Sequence, residues 1–291
     1  MKNTIYRLVP GIILLFTSFA HCSAQQNSLL WEISGPDLKH PSYLFGTIHL
    51  ICPEDFTPGD SLITTLQNAR EMLLEVDPAD PELFTHMTSM MFRKDGKKLS
   101  DLIPAEDYPL VKDFITNNLG MQPGIVEYFK PVMLNALISV SLFKCRTTES
   151  VERLLTVEAR NAGVKIGGLE TVQEQMAVID SIPDSTQIPV FLETIRNLDQ
   201  VRLEGEKLID LYKSEDIDEI YRFTQDSKLG SVDTQQMMLK NRNIRWIPRI
   251  EEKIRQGSTF IAVGAGHLGG EFGLLTLLKA RGYFIRPIPA F

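Results

Sequence analysis

Two stretches of this chain follow one plan. Tyr43-Leu44-Phe45-Gly46-Thr47-Ile48-His49 lies near the start and Phe260-Ile261-Ala262-Val263-Gly264-Ala265-Gly266-His267 near the end, each an apolar run leading through Gly-x-x to histidine. A histidine just past a buried strand sits at the edge of the sheet, where open α/β folds place their ligands, and glycine lets a ligand or another backbone come close. Two such edges could bring His49 and His267 together. Between them in sequence, Glu71-Met72-Leu73-Leu74-Glu75-Val76-Asp77 reads as a strand with Leu73, Glu75 and Asp77 on one face. An acid in so apolar a strand needs a partner, because carboxylates are rarely buried unless paired or bound to a metal. Glu75 beside two imidazoles makes sense as a metal ligand or as a base acting on water. Two histidines and one carboxylate leave coordination positions open, as in catalytic rather than structural metal sites. Such a site makes hydroxide available near neutral pH.

Each residue also has an ordinary role open to it. A histidine at a strand end can be a hydrogen-bonded structural residue, Glu75 can pair with an arginine, and Gly46 and Gly264 can be turn glycines. The spacing alone leaves both readings standing.

Strand-like segments at both ends of the chain must position these residues. Leu30 to Ser34 and Tyr43 to Leu50 read as a strand pair across a turn-rich Gly35-Pro36-Asp37 segment, followed by a helix from Asp60 to Ala69 and the strand that carries Glu75. From Pro81 to Arg160 apolar residues recur at helical spacing, with breaks near Pro104, Gly120 to Pro123 and Pro131. Val164 to Glu170 is a short strand, after which Thr171 and Glu174 have capping-box spacing for a new helix. Helical stretches over Pro189 to Lys213 and Thr234 to Gln256 lead to a strand at Thr259 to Gly264, a helix at Gly270 to Ala280 and a strand at Tyr283 to Ile288. The expected fold is α/β: a split, mixed central sheet formed by N- and C-terminal strands, with a large helical insertion. The expected organisation is one domain, residues 25–291, behind a leader.

The leader is residues 1–24: Lys2 and Arg7 precede an apolar stretch from Leu8 to Phe19, then Cys22-Ser23-Ala24, the plan of a cleaved signal peptide. The apolar stretch is well short of the roughly 20 residues that span a bilayer. Its bulky His21 is a poor fit to lipoprotein processing at Cys22. Export leaves Cys52 and Cys145 in a compartment that permits a disulfide, and the sequence leaves open whether they pair. The net charge is −7, so losing Lys2 and Arg7 gives −9. No basic run is long enough to track phosphates, which argues against nucleic-acid binding. No later apolar stretch reaches spanning length, so no permanent membrane span is expected in the mature chain.

Together, Tyr-Leu-Phe-Gly-Thr-Ile-His at 43–49, Leu74-Glu75-Val76-Asp77, Gly168-Leu169-Glu170-Thr171 with Glu174-Gln175, Asn241-Arg242-Asn243 and Gly264-Ala265-Gly266-His267-Leu268 resemble the successive signatures of the TraB/GumN (Tiki-like) family. The resemblance runs from about Leu29 to Pro289. It implies a fold shared with Tiki proteases, erythromycin-esterase-like proteins and ChaN-like haem-binding lipoproteins, and a divalent metal held by His49, His267 and Glu75. Manganese or cobalt is the metal it favours, with zinc possible. Peptide hydrolysis is the activity it implies, with a peptide or small molecule as substrate. Arg242 would then steady a substrate carboxylate or developing oxyanion, or simply pair with Glu75 or Glu170. Glu170 is a second candidate acid, or a partner for the N-terminus of the next helix. Where many relatives carry Asp, this chain has Glu152, to which the sequence assigns no firm role. It lacks the C-terminal membrane segments of the Tiki and pheromone-related branches, so it should work free in its compartment.

Two other readings stay open. A binding protein without catalysis could hold haem, a metal or a peptide in the same cleft, with His40, His49, His86 and His267 as candidate axial ligands for haem. The helix-rich middle could instead be a protein-interaction surface.

Overall fold

In the computed structural model, the described residues are 27–35, 37–83, 89, 91–226 and 236–291. The expected leader and His86 lie outside them. The strands are β1 (Leu30–Ser34), β2 (Ser42–Thr47), β3 (Glu71–Val76), β4 (Lys165–Glu170), β5 (Thr259–Gly264) and β6 (Phe284–Ile288). They form a six-stranded mixed sheet in the order β4-β3-β5-β2-β1-β6. β5 pairs in parallel with both β2 and β3, and β3 in parallel with β4. β1 runs antiparallel to its two neighbours. β2, β3, β4 and β5 therefore all end at the same edge.

β3 and β5 are almost wholly buried, as continuous apolar parallel strands are when both sheet faces are covered. The helices are α1 (Asp60–Gln67), α2 (Tyr108–Asn117), α3 (Pro131–Ser141), α4 (Val151–Asn161), α5 (Val172–Asp180), α6 (Asp184–Arg196), α7 (Leu198–Lys213), α8 (Ile217–Asp226), α9 (Asn241–Gln256) and α10 (Leu274–Ala280). α1 packs on α4, and α9 on α10 and on β4. Phe45, Met72, Trp246, Phe260 and Leu274 belong to the main core around the sheet, while Val111, Phe114, Leu134, Ile138 and Phe191 build a second core within the helical middle.

Several boundaries differ from the sequence reading for local reasons. β2 stops at Thr47, so that Ile48 and His49 leave the sheet. The expected long helix from Pro189 to Lys213 is two helices: α6 begins earlier, at Asp184, with Pro189 inside it, and the break falls at Asn197, whose ψ of 39° is not helical. α8 was not expected. α10 starts at Leu274 rather than Gly270, which has a φ of +82°. Cys52 and Cys145 are joined as a disulfide, with Cα atoms 5.8 Å apart. No helix among the described residues is long and apolar enough to cross a membrane.

Candidate active site

The parallel register sets Thr47 opposite Gly264, and Val76 opposite Glu170. His49 and His267, two and three residues beyond β2 and β5, therefore emerge on the edge that carries Glu75 and Glu170. Distant parts of the chain converge here because β5 is inserted between β2 and β3.

Arg242 stands at the centre. Its Nη2 donates to Glu75 Oε2 and, at 2.6 Å, to Glu170 Oε1, which also accepts from Nε at 3.0 Å. Nη1 donates to the Met238 carbonyl at 3.1 Å and to His267 Nε2 at 3.3 Å. The guanidinium thus commits all five of its N–H donors. It also lies over the Trp246 ring, 4.7 Å from the centroid. Of the roles open to it, the pairing role is the one formed, with both acids rather than one.

Glu170 is fully enclosed. Its Oε2 accepts from Trp246 Nε1 at 3.2 Å and has Arg245 at 3.7 Å, so its partners come from α9. It does not serve the N-terminus of α5. Thr171 does that, accepting from the Glu174 amide at 3.1 Å while Glu174 Oε2 accepts from the Thr171 amide at 2.9 Å.

Glu75 is placed differently. Its Oε1 accepts from the Gly264 amide at 3.0 Å and lies 3.8 Å from His267 Nε2. Oε2 accepts from Gln175 Nε2 at 3.3 Å in addition to Arg242. Burial pushes its pKa up, but His267, which is protonated in the acid range where Glu75 titrates, together with Arg242, His49 and the Gly264 amide, outweighs that and holds it down at about 2. Asp77, on the same face in the sequence reading, lies beyond the end of β3 and accepts from the Ala79 amide at 2.8 Å.

Packing fixes His267. Its side chain is 5% exposed, and its ring is stacked 4.6 Å from Trp246. Asn243 Nδ2 donates to the carbonyls of His267 (3.1 Å) and Phe272 (2.8 Å), which orients the amide so that Oδ1 faces the imidazole. Nδ1–H donates to that oxygen at 2.6 Å, and Nε2 keeps its lone pair. Burial holds the ring neutral, with its pKa down at about 4.

His49 is the opposite case. Its side chain is 73% exposed, and its Nδ1 meets Glu152 Oε1 at 2.7 Å. Glu152 is steadied by Thr47 Oγ1 and Ser150 Oγ, both at 2.6 Å. The Glu152 hydrogen bond raises His49 to about 9, and His49 in turn helps to hold the half-buried Glu152 down at about 2, against its desolvation. No direct contact joins His49 to Glu75, but its charge bears on both Glu75 and His267.

The donor set fits a divalent metal by type: two imidazoles, each with an acceptor on Nδ1 and with Nε2 left for a ligand bond, beside a carboxylate. Among the described residues, no three His, Cys, Asp or Glu side chains close on one point. Arg242 places its Nη1 at His267 Nε2. Ligation by His267 needs that hydrogen bond to give way, and ligation by His49 needs it to lose a proton.

Asn243 and Trp246 were given no role by the sequence reading. Their signal was the spacing Arg242, Asn243, Trp246, Ile250 on one face of α9, where an amide beside an arginine among buried apolar residues must be hydrogen-bonded. Glu152 was noticed without a role because its partner lies more than a hundred residues away. Asn243→Ala should free the His267 tautomer. It is expected to weaken cobalt(II) binding by about 10–100-fold, read by titration, with little change at the His49 pair; unchanged affinity would show that the amide orients nothing.

The chain has relatives among known proteins by sequence. The chain is 26% identical to Metalloprotease TIKI2 of Danio rerio over 90% of its own length and 61% of that protein's. It is 26% identical to Metalloprotease TIKI1 of Xenopus tropicalis (92% and 63%) and 25% identical to Metalloprotease TIKI1 of Homo sapiens (92% and 63%). It thus spans about three-fifths of the length of these relatives. No solved structure matches it. The TraB/PrgY/gumN family profile matches residues 29–287, nearly all of the sheet and every residue of the site, and the chain belongs to that family.

Proposed function

We propose that this protein is an exported, metal-dependent hydrolase that cleaves peptides. The observation that carries the reading is the placement at one sheet edge of two histidines, each with an acceptor on Nδ1, with buried Glu75 3.8 Å from one of them. Relatives whose names are those of metalloproteases support the reaction class. We further read the helical stretch between β3 and β4 as an insertion into the fold of the erythromycin-esterase-like and ChaN-like proteins, and residues 25–291 as one domain.

His49 and His267 would hold the metal through Nε2, with Glu75 completing the set. A divalent ion there supplies a water of lowered pKa and polarises a carbonyl. Glu75 accepts from the Gly264 amide at Oε1 and from Gln175 and Arg242 at Oε2, contacts that hold it as an anion able to take up a proton as general base. Arg242 acts as a positioning residue: it holds Glu75 and Glu170 as anions in a buried setting and sets the angle of Glu75. It reaches a developing oxyanion only through the Nη1 that now meets His267. Exposed His49 forms the open side, where an extended chain could approach.

The test is a mixed-peptide digest with the purified protein, loaded in turn with manganese, cobalt and zinc. Cleavage that a chelator abolishes and metal restores is expected. No cleavage of a diverse peptide library by metal-loaded protein would end the peptidase reading. One observation favours a binding protein without turnover: Arg242 already spends every donor within the protein. In that case metal or hemin would bind tightly with no product formed, and a hemin titration without a Soret shift would remove the haem version.

A further inference from the structure

The two halves of the site are held by different means. His267 is locked by burial, by stacking on Trp246 and by Asn243. His49 has no such packing, yet the proposed chemistry needs its ring fixed. Two residues beyond it, the chain is tied to the segment that carries Glu152. The Ile51 amide donates to the Glu149 carbonyl at 3.0 Å, and the Glu149 amide to the Ile51 carbonyl at 2.8 Å. The Val151 amide donates to the Ile48 carbonyl at 3.3 Å. One residue further on, Cys52 is bonded to Cys145. Two short segments from distant parts of the chain are thus laid side by side, with His49 and Glu152 facing each other at one end and the disulfide at the other.

An isolated two-residue bridge of this kind is too short to hold itself together in water. The covalent bond keeps its strands at high effective concentration. We propose that the Cys52–Cys145 disulfide is the positioning device for His49, holding its imidazole against Glu152 and making this half of the site redox-dependent. Reduction by a dithiol breaks the S–S bond and delivers two electrons and two protons to form two thiols, while the dithiol closes to its own disulfide. The Ile51–Glu149 bridge then opens and His49 loses its fixed partner, while His267, Glu75 and Arg242 stay in place. The site is therefore complete only where disulfides persist. The consequence for activity rests on the reading of His49 as a ligand; the positioning does not.

Amide hydrogen exchange of the full chain tests this, before and after dithiothreitol, and in a Cys52→Ser, Cys145→Ser double variant. The amides of Ile51 and Glu149 should exchange at least about tenfold faster in both reduced forms, with the Gly264 amide on Glu75 unchanged. Rates at Ile51 and Glu149 within about twofold of the oxidised protein would overturn the proposal. So would an equal acceleration at Gly264, because the disulfide would then staple the whole fold rather than place one residue. A dithiol itself binds cobalt, so the metal arm uses the double variant, whose cobalt(II) affinity should fall by about 10–100-fold. If exchange changes as expected and cobalt binds neither form, the positioning stands and the metallohydrolase reading falls instead.

Discussion

Arg242→Met is expected to lower the stability of the fold by about 3–5 kcal/mol, read as a shift in the urea unfolding midpoint at neutral pH. The guanidinium is buried and neutralises two carboxylates that are themselves buried, Glu75 and Glu170, with side chains 10% and 0% exposed. Methionine fills much of the same space and stacks on Trp246, so the loss is electrostatic more than volumetric. It leaves two acids close together with only Arg245, 3.7 Å from Glu170, as a neighbouring cation, so one of them must take up a proton or draw in water. His267 Nε2 loses a donor as well. A second substitution isolates the cause. Glu170→Leu added to Arg242→Met removes one orphaned charge and should recover about half of the loss, since a buried ion pair replaced by apolar groups is often near neutral. A single variant within about 1 kcal/mol of the parent would show that the ion triad is solvated and that Arg242 positions nothing.

The same triad shows why only part of this site could be read from the sequence. Glu75 was legible because an acid inside Met72-Leu73-Leu74 violates the apolar pattern and demands a partner. That the partner would be Arg242, from α9, was weighed only as one option. Pairing is a contact between residues 167 positions apart, and no local pattern encodes it. The two Gly-x-x-His phrases announced histidines at strand ends, and the strands at both chain ends implied a shared sheet. The strand order, with β5 between β2 and β3, depends on tertiary pairing. Local rules worked where local chemistry decides: the Thr171–Glu174 capping box formed as its spacing required. They failed where long-range packing decides. The helical stretch after Pro189 began earlier and broke at Asn197. The unexpected α8 is a different case, since Ile217 and Ile220 already mark its buried face at helical spacing. The contrast between the histidines was also invisible, because exposure of one and burial of the other follow from the helix α9, which covers one end of the edge.

That contrast extends to the two acids and gives the second large expectation. Glu75→Gln should cut peptide hydrolysis by the metal-loaded protein by about 10²–10⁴-fold, the range for losing a positioned base, at a stability cost of about 1–3 kcal/mol that leaves the protein folded below its unfolding transition. Glutamine can accept from Gly264 or from Arg242 but not from both, because they meet different carboxylate oxygens, so part of the scaffold's support goes with the proton acceptor. Glu170→Gln should lower stability and spare activity. Glu170 has no solvent-facing oxygen, and its partners Arg242, Trp246 and Arg245 all lie on α9, so its work is to seat that helix on the end of β4. Losing its charge should cost about 1–3 kcal/mol of stability, while activity below the unfolding transition stays within about tenfold of the parent. The pair separates chemistry from support because both changes remove one charge from the same arginine and differ in surroundings: Glu75 lies 3.8 Å from His267, whereas Glu170 meets only residues of α9. Equal activity losses in two well-folded variants would mean that both acids take part in the reaction. A loss confined to Glu170→Gln would move the base from β3 to β4 and overturn the assignment of Glu75.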